Sequence, residues 1–262
     1  MRDLQARLNN IGFEGTRRAL AGLSLSLFVA LFLLVSLQVP AGWGPAFLAL
    51  AACYLVAFLA VVAAWFWGRW FAAGLGWSGI MVAAASLAMV GWSPPLAIYG
   101  GLHAVVVVAL MGQKMVNRYD QQEGWRQRFG MDEFGVARLR KTVTRASMSL
   151  PSLILYALGP KDGGGESLLV GMAGIATLLA VGAGLRGLVL MRSWGWMTIA
   201  GAATALWILN AVSTPALDYP GVSVLGQLAA APLLTPAAGL AAAALTFAVL
   251  PFLRPALRFL RG

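Results

Sequence analysis

Long apolar runs, separated by short polar or aromatic turns, dominate the pattern along the chain. A helix that crosses about 30 Å of hydrocarbon needs about 20 apolar residues. Runs that approach this length predict helical spans over 19–39, 44–67, 71–92, 95–116, 146–160, 167–190, 194–212 and 222–252. We therefore predict an all-α, polytopic transmembrane helix bundle with about eight spans, the count lying between seven and nine. The fifth segment is short and carries Pro151, and the eighth contains Pro232 and Pro236, which predict a kink.

Composition indicates that lipid is the solvent for much of the surface. The 262 residues are 60% hydrophobic and 11% charged, whereas soluble domains carry about 25% charged residues. A soluble chain of this length has too little interior to bury so many apolar side chains. The single cysteine, Cys53, lies in an apolar run, so we interpret it as a small buried side chain.

The basic residues orient the predicted spans, because Lys and Arg collect in cytoplasmic loops. With eight spans, 18 of the 19 basic residues fall on one side and Lys161 is the exception. That side holds both ends of the chain, so we predict that the N- and C-termini are cytoplasmic. If segment 146–160 did not cross, Arg192 and the basic tail would lie outside, which is the main reason to count it as a span.

Charge and hydropathy together divide the chain into five parts. They are a cytoplasmic amphipathic N-terminal segment, a first four-span half, a basic cytoplasmic linker, a second four-span half and a basic cytoplasmic tail, over residues 1–18, 19–116, 117–145, 146–252 and 253–262. The stretches GRWFAAGLGWSG (68–79) and MRSWGWMTIAGAA (191–203) resemble each other. A parallel 4+4 duplication explains this similarity; the alternative is that hairpins turned by an arginine share this composition. The Ala-, Leu- and Gly-rich composition favours a bacterial inner membrane.

The stretch FWGRWF (66–71) places one arginine among aromatic residues between two apolar runs. Tryptophan is typical of the headgroup level, and arginine of cytoplasmic turns. We therefore predict topology and interface anchors at Arg69, Trp65, Trp67, Trp70, Arg192 and Trp194. The alternative for Arg69 is a lipid-headgroup or ligand site.

The basic linker and the N-terminal segment have the amphipathic pattern of helices that lie on an anionic leaflet. Membrane lipids with anionic headgroups are the expected partners, and other membrane or cytoplasmic subunits are the alternative. The surface that would bind them consists of Arg126, Arg128, Arg138, Arg140, Lys141 and Arg145. Acidic residues interrupt this stretch, which argues against nucleic acid.

Chemistry inside the predicted spans is sparse. No Asp or Glu lies within a span, although carboxylates commonly carry ion coupling in membrane carriers. The chain has one histidine, too few for a bis-histidine haem or a His-rich metal site. We therefore expect no catalytic set, no metal and no cofactor.

A few polar and proline positions remain as candidates for a cavity or substrate site. Tyr99 and His103 share a helix face, Arg186 is a cation inside a late span, and prolines free backbone carbonyls. The full set is Tyr99, His103, Arg186, Asn210, Pro232, Thr235 and Pro236. The alternatives are a hydrogen-bonded imidazole, a snorkelling arginine and a simple bend.

These features leave three classes of function. We predict a non-catalytic membrane subunit or scaffold of a larger assembly, because buried acids and catalytic sets are missing from the sequence. The alternative is a permease or lipid-handling transporter without carboxylate-based ion coupling, which fits the span count. A membrane-embedded enzyme has the least support.

Overall fold

The computed structural model describes residues 2–39, 42–129, 132–159, 165–190, 192–212 and 241–252. Its helices are α1 (Arg2–Gln38), α2 (Gly44–Val62), α3 (Gly68–Val90), α4 (Pro94–Leu110), α5 (Gln113–Tyr119), α6 (Glu123–Phe129), α7 (Glu133–Leu158), α8 (Gly165–Val189) and α9 (Trp194–Val212), followed by α10 (Ala241–Phe252). Across these ranges there is no strand, and the predicted all-α helix bundle is confirmed.

Four of the described helices contain segments long and apolar enough to cross a membrane, namely Glu14–Gln38, Gly44–Val62, Gly68–Ala88 and Gly171–Val189. Together, α4 and α5 qualify as a fifth, although they are bent by 74° relative to each other. The apolar segments Trp194–Leu209 and Ala241–Phe252 are shorter. The chain is therefore a polytopic membrane protein, and the count of eight spans stays a prediction.

The predicted span 95–116 ends early, at Leu110, where the chain turns into α5. Gly112 has a φ of 96°, which favours glycine because it carries no Cβ. The Arg17 guanidinium of α1 donates to the carbonyl oxygens of Val108 (2.8 Å) and Met111. These bonds add to the backbone bond that ends the helix, from the Met111 N–H to the Val108 carbonyl oxygen (3.2 Å), and give side-chain donors to carbonyls at its C-terminus.

Helix α7 joins the two halves of the bundle. In the first half, α1 packs against α2 and α4, and α3 packs against α2 and α4. Helix α7 packs against α2 and α3 of the first half and against α8 of the second half, and α8 packs against α9. Two bonds attach α10: Arg145 of α7 donates to the carbonyl oxygen of Phe247 (2.7 Å), and the Trp207 indole of α9 donates to Thr246 (3.1 Å).

The structure merges two segments that the sequence analysis separated. The amphipathic end of the linker and segment 146–160 form the single 26-residue helix α7, which is about 39 Å long at 1.5 Å per residue. Near its start, Arg140 lies 3.6 Å from Asp120. Just past its end, a Cβ built on Gly159 would lie 3.0 Å from the Trp43 ring, at the opposite end of the bundle. Helix α7 therefore runs the height of the bundle.

Burial explains why this helix is only moderately apolar. Most side chains between 142 and 157 are buried, including those of Ser147, Ser149 and Ser152. Protein rather than lipid surrounds α7, so hydroxyl groups are tolerated where they find a bond. Ser147 donates to the Val143 carbonyl oxygen (2.8 Å), within its own helix.

Candidate functional site

A buried ion pair lies at one end of the bundle, where α2 ends, α3 begins and α4 ends. We call this the basic end. Arg69 is only 8% exposed and donates to Asp120 from two guanidinium nitrogens, from Nε to Oδ1 (3.1 Å) and from Nη2 to Oδ2 (2.6 Å). Such two-point pairs are stronger than single hydrogen bonds and fix the orientation of both groups.

Three further contacts complete what we call the Asp120 clamp, formed by Arg69, Trp70, Asp120 and Arg140. The Trp70 indole N–H donates to Oδ1 of Asp120 (2.9 Å), and Nη1 of Arg140 lies 3.6 Å from Oδ2. Arg69 also donates to the Leu110 carbonyl oxygen (3.3 Å). The clamp joins the start of α3, the end of α4, the end of α5 and the first part of α7, with two cations on one carboxylate.

The sequence analysis placed Arg69 and Trp70 at the headgroup level, whereas the structure turns both inward onto Asp120. Asp120 was counted only as an interruption of the basic linker. Its partner lies 51 residues away, and no periodic pattern connects two positions so far apart. The available signal was physical: an arginine among buried aromatic residues needs a counterion.

Side chains beyond the clamp also hold the linker against the α2–α3 turn. The Tyr119 hydroxyl donates to the Val61 carbonyl oxygen (2.8 Å), and the Gln122 amide donates to that of Ala64 (2.8 Å). The Trp125 ring stacks on Phe66 with centroids 4.1 Å apart. The linker helices α5 and α6 are thus fixed to the bundle.

An open groove of about 510 Å³ lies between this turn and α6. Its walls are Ala63, Ala64, Trp65, Phe66, Trp67, Gln122, Gly124 and Trp125. Trp65 is 47% exposed, and its ring centroid lies 5.4 Å from that of Trp67. The groove therefore presents aromatic faces at the level where α2 ends and α3 begins.

The second polar cluster surrounds His103, deep in the first half. The His103 side chain is fully buried. Its ring centroid lies 3.8 Å from that of Phe28 and 4.4 Å from that of Tyr99. A Cβ built on Gly79 would lie 2.1 Å from the imidazole. Glycine at position 79 of α3 therefore provides the room for the His103 ring.

Hydrogen bonds define the tautomer of His103. Nδ1 lies 2.8 Å from the Tyr99 carbonyl oxygen, which only accepts, so Nδ1 carries the proton. Nε2 then accepts from the Tyr54 hydroxyl, 2.7 Å away. A neutral imidazole with both nitrogens bonded matches one of the two interpretations offered from sequence.

The structure places the other predicted residues as follows. Arg186 is exposed in the last turn of α8, Arg192 is exposed in the α8–α9 turn, and Trp194 is exposed as the first residue of α9. Arg138 and Lys141 are exposed, whereas Arg126, Arg140 and Arg145 are half-buried. Pro232, Thr235, Pro236 and the side chains of Arg128 and Asn210 lie outside the described residues.

Within the described part of the chain, no group of three or more His, Cys, Asp or Glu side chains is arranged to hold a metal ion. Comparisons with protein-family models, with curated proteins and with solved structures gave no match.

Proposed function

We propose that this membrane protein is a non-catalytic subunit or scaffold of a larger assembly in a bacterial inner membrane, with the basic end on the cytoplasmic side. The observation that supports this most directly is that the polar groups of the two buried clusters are bonded to one another. His103 is bonded to two tyrosines, and Asp120 is bonded to Arg69 and Trp70. Groups bonded in this way hold helices together and are not available to a substrate.

A transporter would need a cavity that reaches the central polar cluster. Phe28 packs against the His103 ring, and Gly79 touches it closely from α3. These contacts fill the space around the imidazole, and this favours the subunit role over the permease alternative.

The surface that would receive a partner is the start of α7. Arg138 and Lys141 are exposed there, while Arg140 on the same turn is held near Asp120. The clamp thus presents these cations on a fixed helix. An acidic segment of another subunit would complement them, because opposite charges steer and align partners.

Purification from its native membrane in mild detergent tests this role. We expect another protein to co-purify in a fixed stoichiometry, and the paired substitution Arg138→Glu with Lys141→Glu to release it. Arg192→Glu, an exposed cation of the α8–α9 turn, is the matched control and should retain it. A lone, monodisperse chain without a stoichiometric protein partner, and with a lipid or solute enclosed between its helices, would contradict the proposal.

A further inference from the structure

The aromatic groove of the basic end is a feature that neither the clamp nor the partner surface uses. It is concave and about 510 Å³ in volume, and four of its eight wall residues are aromatic. Ala64, at its edge, has a φ of 53°, a backbone conformation that costs alanine about 1 kcal/mol or more. Residues held in such conformations are concentrated at binding sites.

The position of the groove determines what can reach it. The helix α2 ends at Val62 and α3 begins at Gly68, so the residues between them lie where two spans leave the hydrocarbon. Phospholipid headgroups and the first acyl carbons occupy this depth. Tryptophan side chains are favoured there because they combine an apolar ring with an N–H donor.

Charge around the groove favours an anion. Arg18 donates to the Val62 carbonyl oxygen (2.8 Å), next to the groove residue Ala63. The carbonyl of Arg118 accepts from the groove residue Gln122 (2.9 Å), and Arg126 follows Trp125. Among nearby acids, Asp120 is neutralised by Arg69, and Glu123 is exposed. Thus one guanidinium, that of Arg18, lies beside the groove, and two further arginines and the acid Glu123 lie within four residues of its wall residues along the chain.

We infer that this groove is a binding site for one anionic glycerophospholipid. Its phosphate is recognised by these arginines, and its glycerol and upper acyl carbons lie on Trp65, Phe66 and Trp67. Phosphatidylglycerol has this chemistry, whereas phosphatidylcholine adds a cation that the arginines repel. The inference is independent of the proposed scaffold role, since it concerns a different surface.

Native mass spectrometry of the full chain in detergent tests the site, with palmitoyl-oleoyl-phosphatidylglycerol as the probe. We expect one saturable lipid per chain. Arg126→Gln should weaken its binding by about fivefold, the effect of one cation near an anionic surface, and Trp65→Ala by a similar factor. Neither side chain is part of the Asp120 clamp, so both variants should remain folded and monodisperse.

Matched controls separate a built site from general attraction. Trp194→Ala removes a tryptophan of similar exposure, 44%, from the start of α9, and Arg192→Gln removes an exposed cation from the adjoining α8–α9 turn. Both should leave the affinity unchanged. Equal losses in the groove and control variants would overturn the inference, as would equal binding of palmitoyl-oleoyl-phosphatidylcholine.

Two further results would also overturn it by identifying another occupant. If sn-glycerol 3-phosphate displaces the lipid at equal concentration, the site recognises a soluble phosphate ester. If the spectra show a dimer that Trp65→Ala dissociates, the groove receives a second copy of the chain.

Discussion

At the scale of single residues, the buried charge of Arg69 is stabilised by Asp120, which lies 51 residues away in the sequence. Arg69 and Asp120 are both buried, with side chains 10% and 3% exposed. The pair needs its good geometry, because desolvation of two charges is unfavourable and only close bonds offset it. Trp70 and Arg140 add bonds or charge to the same carboxylate, so Asp120 is the residue on which the clamp depends.

Replacing Asp120 by asparagine tests this dependence. The substitution keeps the volume but leaves Arg69 buried without a counterion, and we expect the free energy of unfolding to fall by about 3 kcal/mol. Reversible unfolding of the purified protein in mixed micelles of detergent and dodecyl sulfate measures it. Glu123→Gln, at an exposed acid on α6, is the control and should change stability by less than about 0.5 kcal/mol.

A double substitution distinguishes the pair from either residue alone. Arg69→Met combined with Asp120→Leu removes both charges, so the double variant should be more stable than the sum of the single effects predicts. Strictly additive losses would mean that the two side chains act separately and would contradict the clamp.

The bond between Tyr54 and His103 gives a second prediction for single residues. Tyr54→Phe leaves Nε2 of His103 buried without a donor, and we expect a loss of about 1–3 kcal/mol in the same unfolding measurement. In a His103→Leu background the same substitution should have a smaller effect, because the acceptor is gone. An equal effect in both backgrounds would show that the bond contributes nothing.

At the scale of elements, close helix approach depends on glycines that face a neighbouring backbone. A Cβ built on Gly74 of α3 would lie 1.8 Å from Oγ of Ser147 and 2.4 Å from the Thr144 carbonyl oxygen of α7. Backbone atoms cannot move aside as a flexible side chain does. The α3–α7 contact, which joins the two halves, therefore requires glycine at this position.

Gly74→Ala should lower the free energy of unfolding by about 1–3 kcal/mol, the usual effect of overpacking. Gly201→Ala in α9 is the matched control, since a Cβ there meets nothing within 4 Å. It should be neutral or stabilise by up to about 1 kcal/mol, because alanine favours the helix. If both variants have the same stability, α3 and α7 are not in the close contact described.

The lengths of the apolar runs predicted helices well where lipid surrounds the helix, and less well where other helices surround it. The predicted runs 44–67 and 71–92 agree with α2 and α3 within a few residues. Segment 146–160 was underestimated because α7 is surrounded by other helices and keeps serines in its core. High hydropathy is typical of helices that contact lipid, so a helix in the centre of the bundle is harder to recognise from its hydropathy.

For the candidate sites, contacts within one helix could be predicted from the sequence, whereas contacts between helices could not. The face shared by Tyr99 and His103 follows from local helix spacing and is present in the structure. Phe28, Tyr54 and Asp120 come from other helices, so their contacts depend on tertiary packing that spacing along one helix does not encode. This is why the clamp and the groove emerged only from the structure.

At the scale of the whole molecule, basic residues from distant parts of the chain meet at one end of the bundle. Arg17 and Arg18 of α1 contact the ends of α4 and α2, and Arg69 and Arg140 share Asp120. The opposite end, at Trp43 and Trp92, is formed by the α1–α2 and α3–α4 turns. This separation gives the predicted orientation a structural basis, because cations retained on one side of a membrane orient the helices.

The most direct test of this orientation is cysteine labelling in intact cells with a membrane-impermeant maleimide. In a Cys53→Ala background, Trp92→Cys reports on the opposite end, where Trp92 is 81% exposed, and Arg138→Cys reports on the basic end. We predict that the first variant is labelled in intact cells and the second only after the membrane is permeabilised. Labelling of both variants in intact cells, or of Arg138→Cys alone, would contradict the account.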